Sequence, residues 1–239
     1  GARSTPLPGP AGATRMLTAP ALSGNRLAFV YGEDLWGVEL PPGTPFDTSG
    51  TLPFPRRLTA EGRVVGAPVF SPDGRLLAVS LERNGNIDVY VLPAEGGALR
   101  RLTWHGAVDL VQQFSADGRT VLFVTNRESR FSREYQLYAV PAEGGFPRRM
   151  PLPQAFRASL EPGGTRIAYN PLPPAFLVWK DYRGGMISTL MLYNMASGEA
   201  VAVPKPEGGC NDADPQWIGG RVYFRSDRRG EFNLYSYDP

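Results

Sequence analysis

Cysteine, histidine and lysine are almost missing from this chain of 239 residues. The one cysteine, Cys210, excludes an intrachain disulfide and any zinc site built from several cysteines. The one histidine, His105, matters because Ser-His-Asp hydrolysis needs an imidazole within reach of a hydroxyl. Since His105 follows a short strand that we expect at the outer edge of a sheet, we interpret it as a residue of a connecting loop.

Motifs that mark common active sites are also missing. The chain has no Gly-x-Ser-x-Gly elbow, no His-Glu-x-x-His pair and no phosphate-binding Gly-Lys-Ser/Thr loop. We therefore predict no catalytic, cofactor-binding or metal-binding residues in this chain, and no cofactor.

Long apolar runs are missing as well. No stretch approaches the roughly 18 apolar residues that span a bilayer, so we expect a soluble protein without a membrane partner, and a cytoplasmic location is favoured. The Pro- and Gly-rich residues 1–13 are predicted to be a disordered leader. The net charge is only +2, and the arginines alternate with acidic residues, which argues against a nucleic-acid partner.

Turn-forming residues are abundant, with 28 Gly and 24 Pro, and 11% of the residues are aromatic. This composition is typical of many short strands joined by tight turns. A pattern of an apolar strand followed by a turn returns five times, most clearly at Ser71-Pro72-Asp73-Gly74 and Ser115-Ala116-Asp117-Gly118. Proline presets φ for such a turn, Asp bonds to its own backbone and Gly accepts a positive φ, so each copy predicts a hairpin.

Each repeat reads as four antiparallel strands. Equivalent apolar residues fall at Phe70, Phe114 and Leu160, and this spacing matches the roughly 40–50 residues of a propeller blade. We predict an all-β fold, a β-propeller of four-stranded antiparallel blades with about five blades present. The predicted propeller covers residues 14–239, with blades at approximately 19–59, 66–103, 109–151, 156–204 and 212–239.

The predicted fourth strands carry paired arginines, at Arg56-Arg57, Arg100-Arg101 and Arg148-Arg149. Because the fourth strand is the exposed edge of a blade, we interpret these charges as structural protection against edge-to-edge aggregation.

The two ends of the repeat array suggest how a ring would close. Residues 14–18 read as a fourth strand but precede the first blade, so we assign them as a closing strand of the last blade. The fifth repeat ends after its third strand. We therefore expect an open blade face around Trp217, Tyr223 and Phe224, and an unpaired edge along residues 233–237.

Two acidic residues near Cys210, Asp212 and Asp214, are the remaining candidates for a cation site. Calcium usually takes six to eight oxygen ligands, and only two carboxylates converge here. We interpret both as turn-capping residues where the fifth blade begins.

The fourth blade departs from the others through an insertion between its second and third strands, including residues 176–185. One interpretation is a loop anchored over the blade by Trp179 and Tyr182, with the glycine pair supplying a turn. The other is a projecting loop near the mouth of the central channel that contacts a neighbouring domain, subunit or peptide.

At this insertion the chain resembles the tricorn protease family. The resemblance is carried by Trp179, Lys180, Tyr182, Arg183, Gly184 and Gly185, which form our candidate contact loop, and it extends from about residue 14 to residue 239. The resemblance implies a first propeller of six blades in a large serine peptidase, followed by a second propeller, a PDZ domain and the catalytic domains. It also implies that this propeller forms a channel for peptides.

The partners that this resemblance implies are the remainder of the parent peptidase or the subunits of a homo-oligomer, and peptides. An alternative stays open, because the Ser-Pro-Asp-Gly hairpin is shared by TolB-like and prolyl-oligopeptidase-type propellers. In that case the chain is a TolB-like binding module that recognises a protein partner.

Overall fold

The computed structural model describes residues 17–41, 53–129, 133–179 and 182–239. The described chain is built from short strands, and a single-turn 3₁₀ helix, η1, covers Ala175–Leu177. No helix in these ranges has the length and apolar character needed to cross a bilayer. The strands are β1 Thr18–Ser23, β2 Arg26–Tyr31, β3 Asp34–Glu39, β4 Arg56–Arg57, β5 Arg63–Phe70, β6 Leu76–Arg83, β7 Asn86–Pro93, β8 Arg100–Arg101, β9 Asp109–Phe114, β10 Thr120–Thr125, β11 Gln136–Pro141, β12 Arg148–Arg149, β13 Arg157–Leu160, β14 Arg166–Asn170, β15 Met191–Asn194, β16 Ala200–Ala202, β17 Asp212–Ile218, β18 Arg221–Ser226 and β19 Asn233–Tyr237.

The strands form five antiparallel sheets in chain order, which confirms the predicted propeller of four-stranded blades. Blades 1 to 4 are β1–β4, β5–β8, β9–β12 and β13–β16, and blade 5 is the three-stranded sheet β17–β19. The first strand of each blade is the inner one. Because neighbouring strands are antiparallel, the turn between the second and third strands lies on the same face as the connection to the next blade. We call this the insertion face.

The hairpins between the first and second strands form for the reason that the sequence indicates. In blade 2, the Ser71 hydroxyl donates to the Asp73 carboxylate over 2.6 Å, and the Arg75 N–H donates to the same oxygen over 3.1 Å. Gly74 completes the turn with a φ of +70°. Ser115 and Asp117 repeat the arrangement in blade 3.

The arginine pairs have a second structural role that the sequence interpretation missed. The second arginine of the pair in blade 2, Arg101, bonds to the buried Asp88 carboxylate at 2.6 Å. Thr103 accepts the Val89 N–H at 3.0 Å and donates to Asp88 at 3.3 Å. Blade 1 repeats this clip with Arg57, Thr59 and Asp34. The motif Arg-Arg-Leu-Thr therefore fastens the outer strand to the third strand.

Buried apolar residues form four clusters, one between each pair of successive blades. Leu77 and Leu35 lie between blades 1 and 2, and Phe123 and Val91 between blades 2 and 3. The other two clusters join blades 3 to 4 and 4 to 5. Among the described residues no fifth cluster joins blade 5 to blade 1.

The open face of blade 5 differs from the prediction. Trp217 and Phe224 are buried against blade 4, so assigning them to the open face was wrong. Alternation along the strands puts their neighbours on the other side, where Ile218 is 60% and Leu234 71% exposed. Residues 14–16 of the predicted closing strand lie outside the described residues, and Thr18 pairs with Val30 as part of β1.

Candidate functional site

The blade-4 insertion, residues 171–190 between β14 and β15, crosses from blade 4 to blade 5 on the insertion face. The ring of Phe176, in η1, lies 4.6 Å from the ring of Phe232 in the β18–β19 loop. The Arg183 guanidinium pairs with the Asp227 carboxylate of the same loop at 2.8 Å. The insertion is therefore attached to blade 5 by an apolar and an ionic contact.

A buried polar network holds the Arg183 end of the insertion. The Asn211 backbone N–H and side-chain amide both donate to the Asp227 carboxylate, at 2.7 and 3.0 Å. The same amide donates to the Tyr182 carbonyl at 3.3 Å, and its oxygen accepts the Ser188 N–H at 3.0 Å. Burial raises the pKa of Asp227, but the hydrogen bonds from Asn211 and the positive charge of Arg183 outweigh it, so the pKa lies below its ordinary value.

The predicted contact loop folds around Tyr182. Its hydroxyl accepts the Met186 N–H at 3.2 Å, and its ring lies 5.8 Å from the ring of Trp179. A Cβ on Gly184 would come within 2.4 Å of the Tyr182 hydroxyl, so a larger residue there would have to displace the Tyr182 side chain, whereas a Cβ on Gly185 would meet open space. Lys180 lies outside the described residues.

The contact loop thus contains two kinds of residue. Arg183 and Tyr182 bond to the protein itself, which fits the interpretation of an anchored loop. Trp179 is 52% exposed, and its neighbours Leu177 and Val178 are each 72% exposed. These three successive side chains form an exposed apolar patch in the insertion, which fits the interpretation of a contact surface.

The inner strands of all five blades line a central cavity of about 660 Å³. This volume lies within the roughly 300–1,000 Å³ of typical ligand sites. Four of the five inner strands carry a bulge or irregular register against the second strand, at the residues that face the cavity. Proline lies in three of these bulges, where it removes no hydrogen bond from the sheet: Pro20, Pro68 and Pro215.

Hydrogen bonds between blades fix the wall of the cavity. Each runs from a backbone N–H of one inner strand to a side-chain oxygen of the preceding blade. The bonds are Val111 N–H to Ser80 at 2.8 Å, Ala158 N–H to Gln112 at 3.0 Å, and Trp217 N–H to Ser159 at 2.9 Å. Because these bonds join each inner strand to the preceding blade, the wall of the cavity is held by the protein itself.

The two acidic residues near Cys210, Asp212 and Asp214, lie in β17 and form ion pairs with arginines from other parts of the chain. Assigning them to turn caps was therefore wrong. Asp212 pairs with Arg228 at 3.1 Å, and Asp214 pairs with Arg225 and Arg157. Within the described ranges, no group of three or more Asp, Glu, His or Cys side chains is placed to hold a metal ion. Burial raises the pKa of the Cys210 thiol, which keeps it in its unreactive form.

His105 lies in the connection between blades 2 and 3. Its Nδ1 accepts the N–H of Ala107 at 3.1 Å, and its carbonyl accepts from Asn86 at 2.8 Å. These contacts make it part of the loop structure. The residues that sequence reasoning missed are Arg157 and Gln112 at the cavity, and their one signal was their position near the start of the predicted blades.

Comparison with known proteins identifies a family and several relatives of this chain. A family profile described as the tricorn protease N-terminal beta propeller domain matches residues 14–239. The putative tricorn protease homolog 2 of Streptomyces coelicolor is 34% identical over 94% of this chain, and the tricorn protease homolog 1 of the same organism is 31% identical over 92%. The chain spans 19% and 20% of the length of these two relatives, or about one fifth.

Solved structures give the same fold. A crystal structure of the tricorn protease superimposes with a TM-score of 0.73 and 25% identity, covering 93% of this chain and 21% of that one. A structure of a putative TolB from Agrobacterium tumefaciens superimposes with a TM-score of 0.68 at 18% identity, covering 92% of this chain and 76% of that one. At that identity the TolB match speaks for the fold alone.

Proposed function

Because the chain belongs to the tricorn protease N-terminal beta propeller family, we propose that it is a non-catalytic propeller that passes peptides through its central cavity within a tricorn-type serine peptidase. The observation that carries this proposal is the cavity of about 660 Å³, which is lined by the inner strands of every blade. The hydrogen bonds between blades support it, since a fixed wall suits passage or gating better than a site that must form around each ligand.

The proposal also assigns the chemistry of hydrolysis to other parts of the peptidase. This chain spans only 19% and 20% of the length of its two Streptomyces relatives. Its one histidine bonds to a loop amide. We expect the nucleophile and the general base to lie outside residues 1–239 in the proposed parent protein.

We propose further that the apolar patch formed by Leu177, Val178 and Trp179 is the docking surface for another part of that peptidase or for a second subunit. Large exposed apolar side chains that adjoin one another favour burial at an interface. The anchoring of the insertion by Arg183 supports this role, because it fixes the patch relative to blades 4 and 5.

A substitution that narrows the cavity tests passage. Ala67, an exposed residue of β5, lines the cavity, so A67W in the proposed parent peptidase places an indole in it. We expect turnover of long peptides to fall severalfold while turnover of a short chromogenic substrate stays unchanged. A matched control is A60W, because Ala60 is exposed in the connection between blades 1 and 2. Equal turnover of both substrates by A67W and the wild type would refute passage through this cavity.

A further inference from the structure

A hollow of about 360 Å³ lies between blades 1 and 2, and we call it the blade 1–2 hollow. It is lined by β2, β3 and β4 of blade 1, and by β5, β6 and the β7–β8 loop of blade 2. Its volume lies within the roughly 300–1,000 Å³ of typical ligand sites. Of its described lining residues only Phe70 also lines the central cavity, so the two cavities are different places in the fold.

The hollow lies where blade 1 turns two small residues toward blade 2. Ala28 of β2 pairs with Gly37 of β3, and Gly37 pairs with Arg56 of the outer strand. The corresponding pairs in blades 2 and 3 are Ala78 with Val91 and Leu122 with Ala139. Blade 1 thus offers less side-chain volume at this junction than the next two blades offer at theirs.

The floor of the hollow is apolar and belongs to the core cluster between blades 1 and 2. Ala28 and Leu77 are 0% exposed, and Leu58 is 8% exposed. Phe70 packs against the same cluster. Phe54 lies at the rim and is 94% exposed, so its ring is available to cover a ligand. An apolar side chain that enters the hollow therefore exchanges water for apolar contacts.

The rim of the hollow carries four charged side chains, and two of them neutralise each other. Arg26 pairs with Glu95 of blade 2 at 3.0 Å. The other two are Arg56 and Glu39, which are both exposed. Glu39 accepts the Asn25 amide at 3.2 Å, and neither Glu39 nor Arg56 has an ion-pair partner in the part of the chain that the structure describes. One positive and one negative charge are thus left for a ligand.

The two unpaired charges lie close together on blade 1. Strand alternation puts Glu39 on the same face as Gly37, and Gly37 is the residue that pairs with Arg56. Two residues of a strand span about 7 Å, so both charges are within reach of one small molecule. A free amino acid carries its ammonium and its carboxylate on one carbon atom, whereas each added residue of an extended peptide moves these groups apart by about 3.5 Å.

We propose that the blade 1–2 hollow binds a free amino acid with a large apolar side chain. The side chain of this ligand contacts the apolar floor, its ammonium faces Glu39 and its carboxylate faces Arg56. An apolar floor between two opposite charges is complementary to an apolar zwitterion in both shape and charge. Because the ligand is a single amino acid in a second cavity, the proposal does not depend on the passage of peptides.

Four relatives of leucine test the contacts separately. The 239-residue chain is titrated with each compound, and binding is measured by ligand-observed NMR. N-acetyl-leucine lacks the ammonium, leucinamide lacks the carboxylate, and alanine lacks the large side chain. Leucyl-leucine keeps all three groups but separates the charges. We expect each of the four to bind at least about fivefold more weakly than leucine.

Variants of the rim connect each charge to its contact. R56Q should weaken leucine binding about fivefold and leave leucinamide binding unchanged, because leucinamide has no carboxylate. E39Q should weaken leucine binding about fivefold and leave N-acetyl-leucine binding unchanged, because that compound has no ammonium. The matched control is R100Q, because Arg100 occupies the place of Arg56 in blade 2, where it pairs with Val91. All three replaced side chains are exposed, so we expect the variants to fold like the wild type.

Several results would overturn the proposal. It fails if leucine does not bind, if alanine or leucyl-leucine binds as tightly as leucine, or if R56Q and E39Q keep the wild-type affinity. It also fails if R100Q weakens leucine binding as much as R56Q does, because the effect would then come from net charge. None of these results bears on peptide passage, which A67W tests at the central cavity.

Discussion

Individual residues of the candidate contact loop have different roles although they are adjacent in sequence. The Arg183 guanidinium pairs with Asp227, which is 6% exposed, and this places Arg183 in a network that joins two blades. Trp179 is half-exposed. A substitution at each position therefore measures a different property of the same loop.

We expect R183Q to destabilise the chain by about 1 kcal/mol, because it removes an ion pair that is only partly screened by solvent. W179A should change stability by no more than about 0.5 kcal/mol, as is usual for exposed positions. Urea unfolding of both variants beside the wild type measures the difference. If R183Q were as stable as the wild type, the ion pair between Arg183 and Asp227 would contribute nothing to the stability of the fold.

The same pair predicts a dependence on pH. The pKa of Asp227 in the folded chain lies below its ordinary value of 3.8, so the ionised carboxylate stabilises the fold above that pH. This contribution is lost as the pH falls through the lowered folded-state pKa. R183Q removes part of the cause of this lowered pKa. The difference in the free energy of unfolding between wild type and R183Q should therefore be largest near neutral pH and become smaller in acid. Urea midpoints measured between about pH 7 and pH 3 test this, and a gap that widens in acid would contradict it.

At the scale of strands and turns, much of the fold could be predicted because its signals are local. The Ser-x-Asp-Gly hairpins are fixed by bonds within five residues, so the sequence displays every group that takes part. The clip around Asp88 was missed because its partners Arg101 and Thr103 belong to another part of the blade. The cluster of Arg157 and Asp214 was missed because it forms only when blades 4 and 5 pack together.

The clip in the outer strand gives a prediction at this scale. Thr103 is 1% exposed, and T103V keeps its shape while leaving the Val89 N–H without an acceptor. We expect a loss of about 1–3 kcal/mol in the free energy of unfolding. The control in the same motif is R100Q, because Arg100 is exposed and makes only a 3.5 Å contact with the Ala142 carbonyl, so its effect should stay below about 0.5 kcal/mol. If R100Q lowered the free energy of unfolding as much as T103V does, the charge of the arginine pair would matter as much as the hydrogen bonds of Thr103.

At the scale of the whole molecule, blade 5 exposes large apolar side chains. Leu234 and Ile218 are exposed on the side away from blade 4, and β19 has no further strand beside it among the described residues. An open strand edge next to an apolar face is a template for association. This exposed surface and strand edge could therefore pair with another copy of the chain.

We expect the purified 239-residue chain to associate with rising concentration, and L234K to weaken that association because it places a charge on the open face. Sedimentation velocity over a range of concentrations measures both. F146K is the control, since Phe146 is 93% exposed in the loop between β11 and β12 of blade 3. A wild-type chain that stays monomeric throughout, or an F146K variant that behaves like L234K, would refute this role for blade 5.

The bulged inner strands have a consequence for the size of the opening. The bulge residues face the cavity, and they are skipped by the pairing with the second strand. Adding or removing a residue there changes how far the strand reaches inward, while the paired residues on either side keep their register. The apolar clusters between blades are built largely from other strands. The width of the central cavity can therefore be changed by adding or removing residues at the bulges of the inner strands. The apolar clusters between the blades need not change.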